Sequence, residues 1–139
     1  MIASQGFKET SKITIWGRKS SVNVQSVLWC LEELNLAYSR IDAGYTYGVV
    51  TTPAFLEMNP NGKVPVLIDG DGLAIFEAGA ILRYLATQYA VGPFWPEAPV
   101  ARAAVDKWAE WAKINFANQF ISDVFWPLIR TPPSRRDYT

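Results

Sequence analysis

The sequence predicts an α/β domain of order β-α-β-α-β-β-α followed by helical segments, and three observations carry that prediction. Short β-rich runs alternate with stretches of helical apolar spacing through about the first ninety residues. A proline-rich stretch, "VGPFWPEAP" (Val91–Pro99), then interrupts the pattern as a linker would. Beyond it a single apolar stripe recurs at helical spacing and no further β-rich run follows.

The first strand is "ITIWG" (Ile13–Gly17), a β-rich run stopped by glycine. From Asn23, the positions Val24, Val27, Leu28, Leu31 and Leu34 recur every three to four residues, which predicts a helix to about Asn35. "YSRI" (Tyr38–Ile41) is the second strand. After an irregular loop, Pro53 opens a short helix through Glu57, because its missing N–H costs nothing in a first turn. Val66–Asp69 and Leu73–Phe76, joined by Gly70-Asp71-Gly72, read as a hairpin. Ala78, Ile81, Leu82, Leu85 and Tyr89 give the next helix. Past the linker, Ala101, Ala104, Val105, Trp108, Trp111, Ala112 and Asn115 mark one face of a long helix that Pro127 should kink or end. Ser134 with Asp137 three residues on is a helix-start signal, so the chain stops as a further helix opens. The expected organisation is a first domain over residues 1–90, a linker over 91–99 and an incomplete helical domain over 100–139.

Composition narrows the function. The chain has 139 residues, half of them hydrophobic and six of them tryptophan, enough for one good core and unlike a disordered chain. A formal net charge of zero argues against nucleic acid and against an anionic membrane surface as partners. No apolar run approaches spanning length, and "MIASQGFKETSK" lacks the apolar block of a signal peptide. The single cysteine excludes an internal disulfide framework and fits a reducing compartment, so a cytoplasmic protein is expected. With no histidine, imidazole acid/base catalysis is excluded, and no metal site is expected.

Several residues carry two readings each. Ser20 and Ser21 lie between a strand end and a helix start, where serine caps helices. A hydroxyl there, beside the positive end of the helix dipole, equally suits hydrogen bonding to a thiolate. Asn23 is a first-turn residue or a second donor. Cys30, two turns in and without a C-x-x-C partner, reads as a small buried hydrophobe, which disfavours a self-contained thiol redox enzyme. Glu77 is a favourable charge at a helix start or a receiver of a ligand's ammonium group. Trp108 and Trp111 fit the core of the helical unit or the wall of a pocket. In "NPNGKVPVLIDGDG" (Asn59–Gly72), Pro65 either opens an ordinary strand or follows a cis bond that exposes Val64 for an extended ligand.

"NPNGKVPVLIDGDGLAIFEAGAILRYLATQY" resembles the glutathione-binding half of the cytosolic glutathione transferases, where N-P-x-G-K-V-P is followed by a hairpin and E-S-x-A-I-x-x-Y-L. The similarity extends over "ITIWGRKSSVNVQSVLWCLEELNLAY" and weakly through "VARAAVDKWAEWA". The resemblance implies a thioredoxin-like domain followed by an all-helical one, incomplete here. It also implies a cis Val64–Pro65 bond, with the valine backbone pairing with the cysteinyl part of glutathione as an added strand would. By position, Ser21 matches the thiolate-activating residue of the serine-type classes such as theta and zeta, and Asn23 an assisting asparagine of some bacterial members. Lys63 matches a basic residue near the glutathione backbone, and Glu77 the acidic residue that holds the γ-glutamyl end. One position departs from the pattern: the serine expected after Glu77 is Ala78. Losing such a charge-assisted bond costs about 1.5–3 kcal/mol, one to two decades of affinity. The backbone N–H of Ala78 can still contribute.

The resemblance implies a glutathione transferase that activates the glutathione thiolate for attack on a small hydrophobic electrophile, working as a homodimer with no metal. Two rivals stand beside it. One is a transferase-like interaction module without chemistry, which Ala78 and the missing helices favour. The other is a glutathione-dependent disulfide reductase in which Ser21 only tunes the thiol.

Overall fold

A period of two along the first strand decides which helix each side chain meets. In β1 (Ile13–Trp16), Ile13 and Ile15 face one core and Trp16 faces another. This is seen in a computed structural model that describes residues 12–90 and 94–136. The chain divides into two units, Met1–Phe94 and Trp95–Thr139.

The first unit is built on a mixed four-stranded sheet of order β2-β1-β3-β4, with β2 (Tyr38–Ile41), β3 (Val66–Asp69) and β4 (Ile75–Phe76). β2 runs parallel to β1, while β3 is antiparallel to both β1 and β4. The parallel pair requires a crossover, and α1 (Val22–Glu33) supplies it. Val24, Val27 and Leu31 of α1 and Ile81 and Leu85 of α3 (Ala78–Tyr89) are fully buried against Ile15 and Leu67 of the sheet. Each such side chain contributes about 1.5–3 kcal/mol of apolar burial. On the opposite side, Phe55 of α2 (Pro53–Met58) packs with Ala43, Val66 and Trp16, its ring edge-on to the indole at 6.2 Å. This is a thioredoxin-like domain.

Local chemistry sets the ends of these elements. Thr52 caps α2 by accepting from the Phe55 N–H, and Pro53 takes the first helical position. α1 ends where Asn35 turns into the left-handed region at φ +53°, which asparagine tolerates. The hairpin is shorter than the expected Leu73–Phe76. Gly70 sits at φ +59°, the Gly72 N–H closes onto the Asp69 carbonyl, and Leu73 is left exposed before pairing begins at Ile75.

In the second unit, α4 (Pro99–Trp111) passes without a break into a π-helical stretch, Ala112–Ala117. A short α-helical link, α5 (Asn118–Phe120), leads to a second π-helical stretch, Ile121–Arg130. These wide turns correct one expectation and narrow another. An α-helical period puts Asn115 on the stripe of Trp111, whereas here Phe116, five residues on, stacks on Trp111 at 6.5 Å and on Phe120 at 6.2 Å. Pro127 does not end the helix, which runs on to Arg130 and closes with the Thr131 N–H donating to the Trp126 carbonyl five residues back. Ser134 lies in a 3₁₀ turn, Pro133–Arg135. Asp137, residues 91–93 of the expected linker and the first eleven residues lie outside the described residues.

Candidate functional site

Strand register gathers the sequence-predicted residues at one end of the sheet. Trp16 is opposite Val66 and beside Ile41, and Val66 is opposite Phe76. The chain segments that leave the ladder there are therefore Gly17–Ser21, Asp42–Tyr45, Val64–Pro65 and Glu77–Ala78. A sheet end with two helix starts is where an α/β domain places a ligand.

Gly17 makes the first turn. A Cβ at this position would stand 2.5 Å from Cγ2 of Val24 and 3.4 Å from Cβ of Val64, so only glycine lets the two chains meet. Arg40 fixes the turn by donating from Nη1 to the Gly17 carbonyl while it holds Asp42. That contact keeps the Asp42 carboxyl below its usual range.

Ser21 is the N-cap of α1 with extended backbone (φ −90°, ψ 123°), 8% exposed, and its carbonyl accepts from the Gln25 N–H. Its hydroxyl makes no capping bond. An N-cap serine normally spends its oxygen on the N2 or N3 amide; this one does not. Asn23 is exposed in the first turn, and its carbonyl accepts from the Ser26 hydroxyl.

The Val64–Pro65 peptide bond is cis, and Pro65 is buried. The ladder between β3 and β1 starts at Val66, which leaves Val64 beyond it. Asn59, 3% exposed, shapes this loop: its Nδ2 donates to the Lys63 carbonyl and its Oδ1 accepts from Asn61. The Lys63 side chain is exposed. Glu77 caps α3 at φ +68°, a conformation that costs a residue with a side chain about 1–3 kcal/mol. Such strain persists where surrounding structure enforces it. Ala78 is the first helical residue, half-buried, with its N–H at the positive end of a 12-residue helix.

Cys30 is buried in the main core, where desolvation and then the nearby Glu33 push its thiol above the ordinary value. Trp108 and Trp111 belong to the second unit. Their rings meet edge-on at 6.0 Å, and at 60% and 49% exposure neither forms the core their spacing suggested.

Three participants escaped the sequence reading. Arg18 lies between strand and helix, with its Nε buried and without a hydrogen-bond partner among the described residues. Gly44, at φ +81°, and Asn59 are the others. The turn-rich "NPNG" signalled Asn59; nothing in the pattern signalled Arg18.

The model of the glutathione S-transferase N-terminal domain family matches residues 11–87. The chain belongs to the glutathione S-transferase family. It is 45% identical to glutathione S-transferase GstB of Escherichia coli K12 over 126 residues, 90% of this chain and 60% of that protein. It is similar, at TM-score 0.83 and 48% identity over 91% of this chain and 60% of the other, to a theta class glutathione S-transferase from Xanthomonas axonopodis pv. citri solved with glutathione bound. It is also similar to Ure2p in complex with glutathione, at TM-score 0.78 and 26% identity over 91% and 59% of the two chains. The chain thus spans about 60% of the length of these relatives. Among the described residues, no helix is long and apolar enough to cross a membrane.

Proposed function

We propose that this chain binds glutathione at the sheet end and lowers the pKa of its thiol, presenting the thiolate to a small hydrophobic electrophile. The observation that carries this reading is Ser21, an N-cap serine whose hydroxyl makes no capping bond beside a helix start that favours an anion. Val64 would pair with the cysteinyl backbone, Lys63 would lie near it, and Glu77 would receive the ammonium of the γ-glutamyl end. The Ala78 N–H would serve its carboxylate in place of the absent serine. Asn23 would assist at the sulfur. Catalysis would come from proximity and thiolate stabilisation, without a covalent enzyme intermediate. Residues 1–90 would act as the glutathione-binding domain and residues 100–139 as the start of the helical one, with the working form a cytoplasmic homodimer. In that form Trp108 and Trp111 would serve the second-substrate wall.

The test is thiolate absorbance of the glutathione complex against pH. A single hydrogen bond to a charged group is worth about 1.5–3 kcal/mol, so Ser21→Ala should raise the bound thiol's pKa by roughly one to two units. Glutathione affinity should change far less, because Val64 and Glu77 contact parts remote from sulfur. Superimposable titrations would remove Ser21 from this role. A second reading, a glutathione-binding interaction module without turnover, is favoured by Ala78, which stands where the family pattern has a serine. It takes the lead if glutathione binds but its thiol pKa stays at the free value.

A further inference from the structure

Arg18 is a strong donor at the sheet end with an unmet capacity. Its backbone is engaged, since the N–H donates to the Ala43 carbonyl and the carbonyl accepts from the Ser21 N–H, each at 3.2 Å. Its side chain runs under the loop after β2. Nη1 stands 3.1 Å from where a Cβ on Gly44 would lie, and the guanidinium carbon is 5.6 Å from the centre of the Tyr45 ring. Nε is buried and makes no hydrogen bond among the described residues. The carboxylate closest in sequence on that loop, Asp42, is held by both terminal nitrogens of Arg40. A guanidinium is always charged and offers its donors in a fork that matches a carboxylate. A buried donor of this kind left unpaired is costly.

The roof over Arg18 is itself strained. Tyr45 and Val49 sit at φ +55° and +71°, left-handed conformations that aromatic and β-branched residues rarely adopt, flanked by Gly44 and Gly48 at +81° and +59°. Tyr45 is 67% exposed. Strain of this sort, beside a buried guanidinium Nε that has no acceptor among the described residues, is the combination expected where a ligand supplies the missing partner.

We propose that Arg18, roofed by Tyr45, binds a carboxylate and selects electrophiles that carry one. The proposal rests on the glutathione reading, and the sheet order supplies the location. Arg18 follows β1 and Tyr45 follows β2, whereas Glu77 follows β4 at the far edge. The γ-glutamyl end held at Glu77 is thus on the opposite side, while Ser21, assigned to the sulfur, is three residues from Arg18. Two carboxylates can reach this side, the glycyl one of glutathione and one on the group joined to sulfur. The proposal commits to the second.

The experiment is calorimetric binding of four probes to the 139-residue chain: glutathione, γ-glutamylcysteine, S-methylglutathione and S-carboxymethylglutathione. The wild type should bind the S-carboxymethyl form roughly ten- to a hundredfold more tightly than the S-methyl form, the worth of one charge-assisted pair. Arg18→Met should erase that preference and leave the ratio of glutathione to γ-glutamylcysteine unchanged. Arg18→Lys, which keeps the charge without the fork, should retain part of it and carries the comparison if Arg18→Met fails to fold. Equal binding of the two S-substituted forms by the wild type would overturn the proposal. So would a change confined to the glutathione/γ-glutamylcysteine ratio, which would assign Arg18 to the glycyl carboxylate. Failure of all four probes to bind would overturn the glutathione reading along with it.

Discussion

Asp69→Asn should loosen α3 from the sheet through loss of charge alone. Asp69 ends β3 with 7% of its side chain exposed, and one carboxylate oxygen, Oδ2, accepts from the hydroxyls of both Tyr84 and Tyr89 of α3. The other, Oδ1, is buried without a hydrogen bond among the described residues and has the Lys12 ammonium 3.9 Å away. Burial raises the Asp69 pKa, but the bonds from Tyr89 and Tyr84, then Lys12, outweigh it and the net shift is downward. Burial and the same bond push Tyr89 up to about 12. Asparagine keeps the shape and an acceptor, so the loss is the charge assistance. Hydrogen bonds to charged groups exceed neutral ones by about 1 kcal/mol, which makes about 2 kcal/mol for the two. The exposed Lys12 adds little. For a domain of this size, about 2 kcal/mol is roughly 8–16 °C in Tm. A lowered folded pKa gives stability that is present above the unfolded value, about 3.9, and is lost as pH falls through the folded one. Scanning calorimetry should therefore show the full Tm gap between wild type and Asp69→Asn at pH 7, shrinking as pH falls below about 4. At the other end, the raised Tyr89 pKa makes wild-type stability fall between about pH 10 and 12. A Tm gap as large at pH 3 as at pH 7 would refute the reasoning, since shape rather than charge would then account for it. Because α3 begins at Glu77 and Ala78, loosening it should also weaken glutathione binding.

Three further outcomes follow from the same contacts. Gly17→Ala forces a methyl to within 2.5 Å of Val24 and should cost about 1–3 kcal/mol, read as a lower urea midpoint; an unchanged midpoint would contradict the close approach. Glu77→Gln should weaken glutathione roughly tenfold by removing the charge assigned to the ligand's ammonium, while the thiol pKa of the complex stays where it was; equal affinity would move the γ-glutamyl end elsewhere. Trp108, Trp111, Phe116 and Trp126 are each about half or more exposed, a large supply of apolar surface, and light scattering at micromolar concentration should give a dimer. A monodisperse monomer would contradict it.

The first unit was legible because local and global signals agree there. The helical spacing of Val24, Val27 and Leu31 and the alternation in "ITIW" are consequences of the two faces those residues bury, so reading the pattern is reading the core. β4 shrank because Gly70 and Gly72 shape a turn whose exit no β-propensity reports. The second unit was less legible for a different reason. Its stripe was projected with a 3.6-residue period, and π-helical turns change that period, carrying Phe116 onto the face meant for Asn115 and letting the helix pass Pro127. At the site, sequence could name Ser21, Val64 and Glu77 through position and resemblance, but not what their surroundings leave unspent. An uncapped hydroxyl at Ser21, a left-handed Glu77 and an Arg18 Nε unpaired among the described residues are properties of tertiary placement. Each is also a local departure from what the residue would do for stability alone. Serine forgoes its cap, glutamate accepts a conformation suited to glycine, and arginine buries a donor that meets no acceptor among the described residues. Three departures of this kind at one sheet end, on residues that leave β1 and β4, are what mark that end as the candidate site.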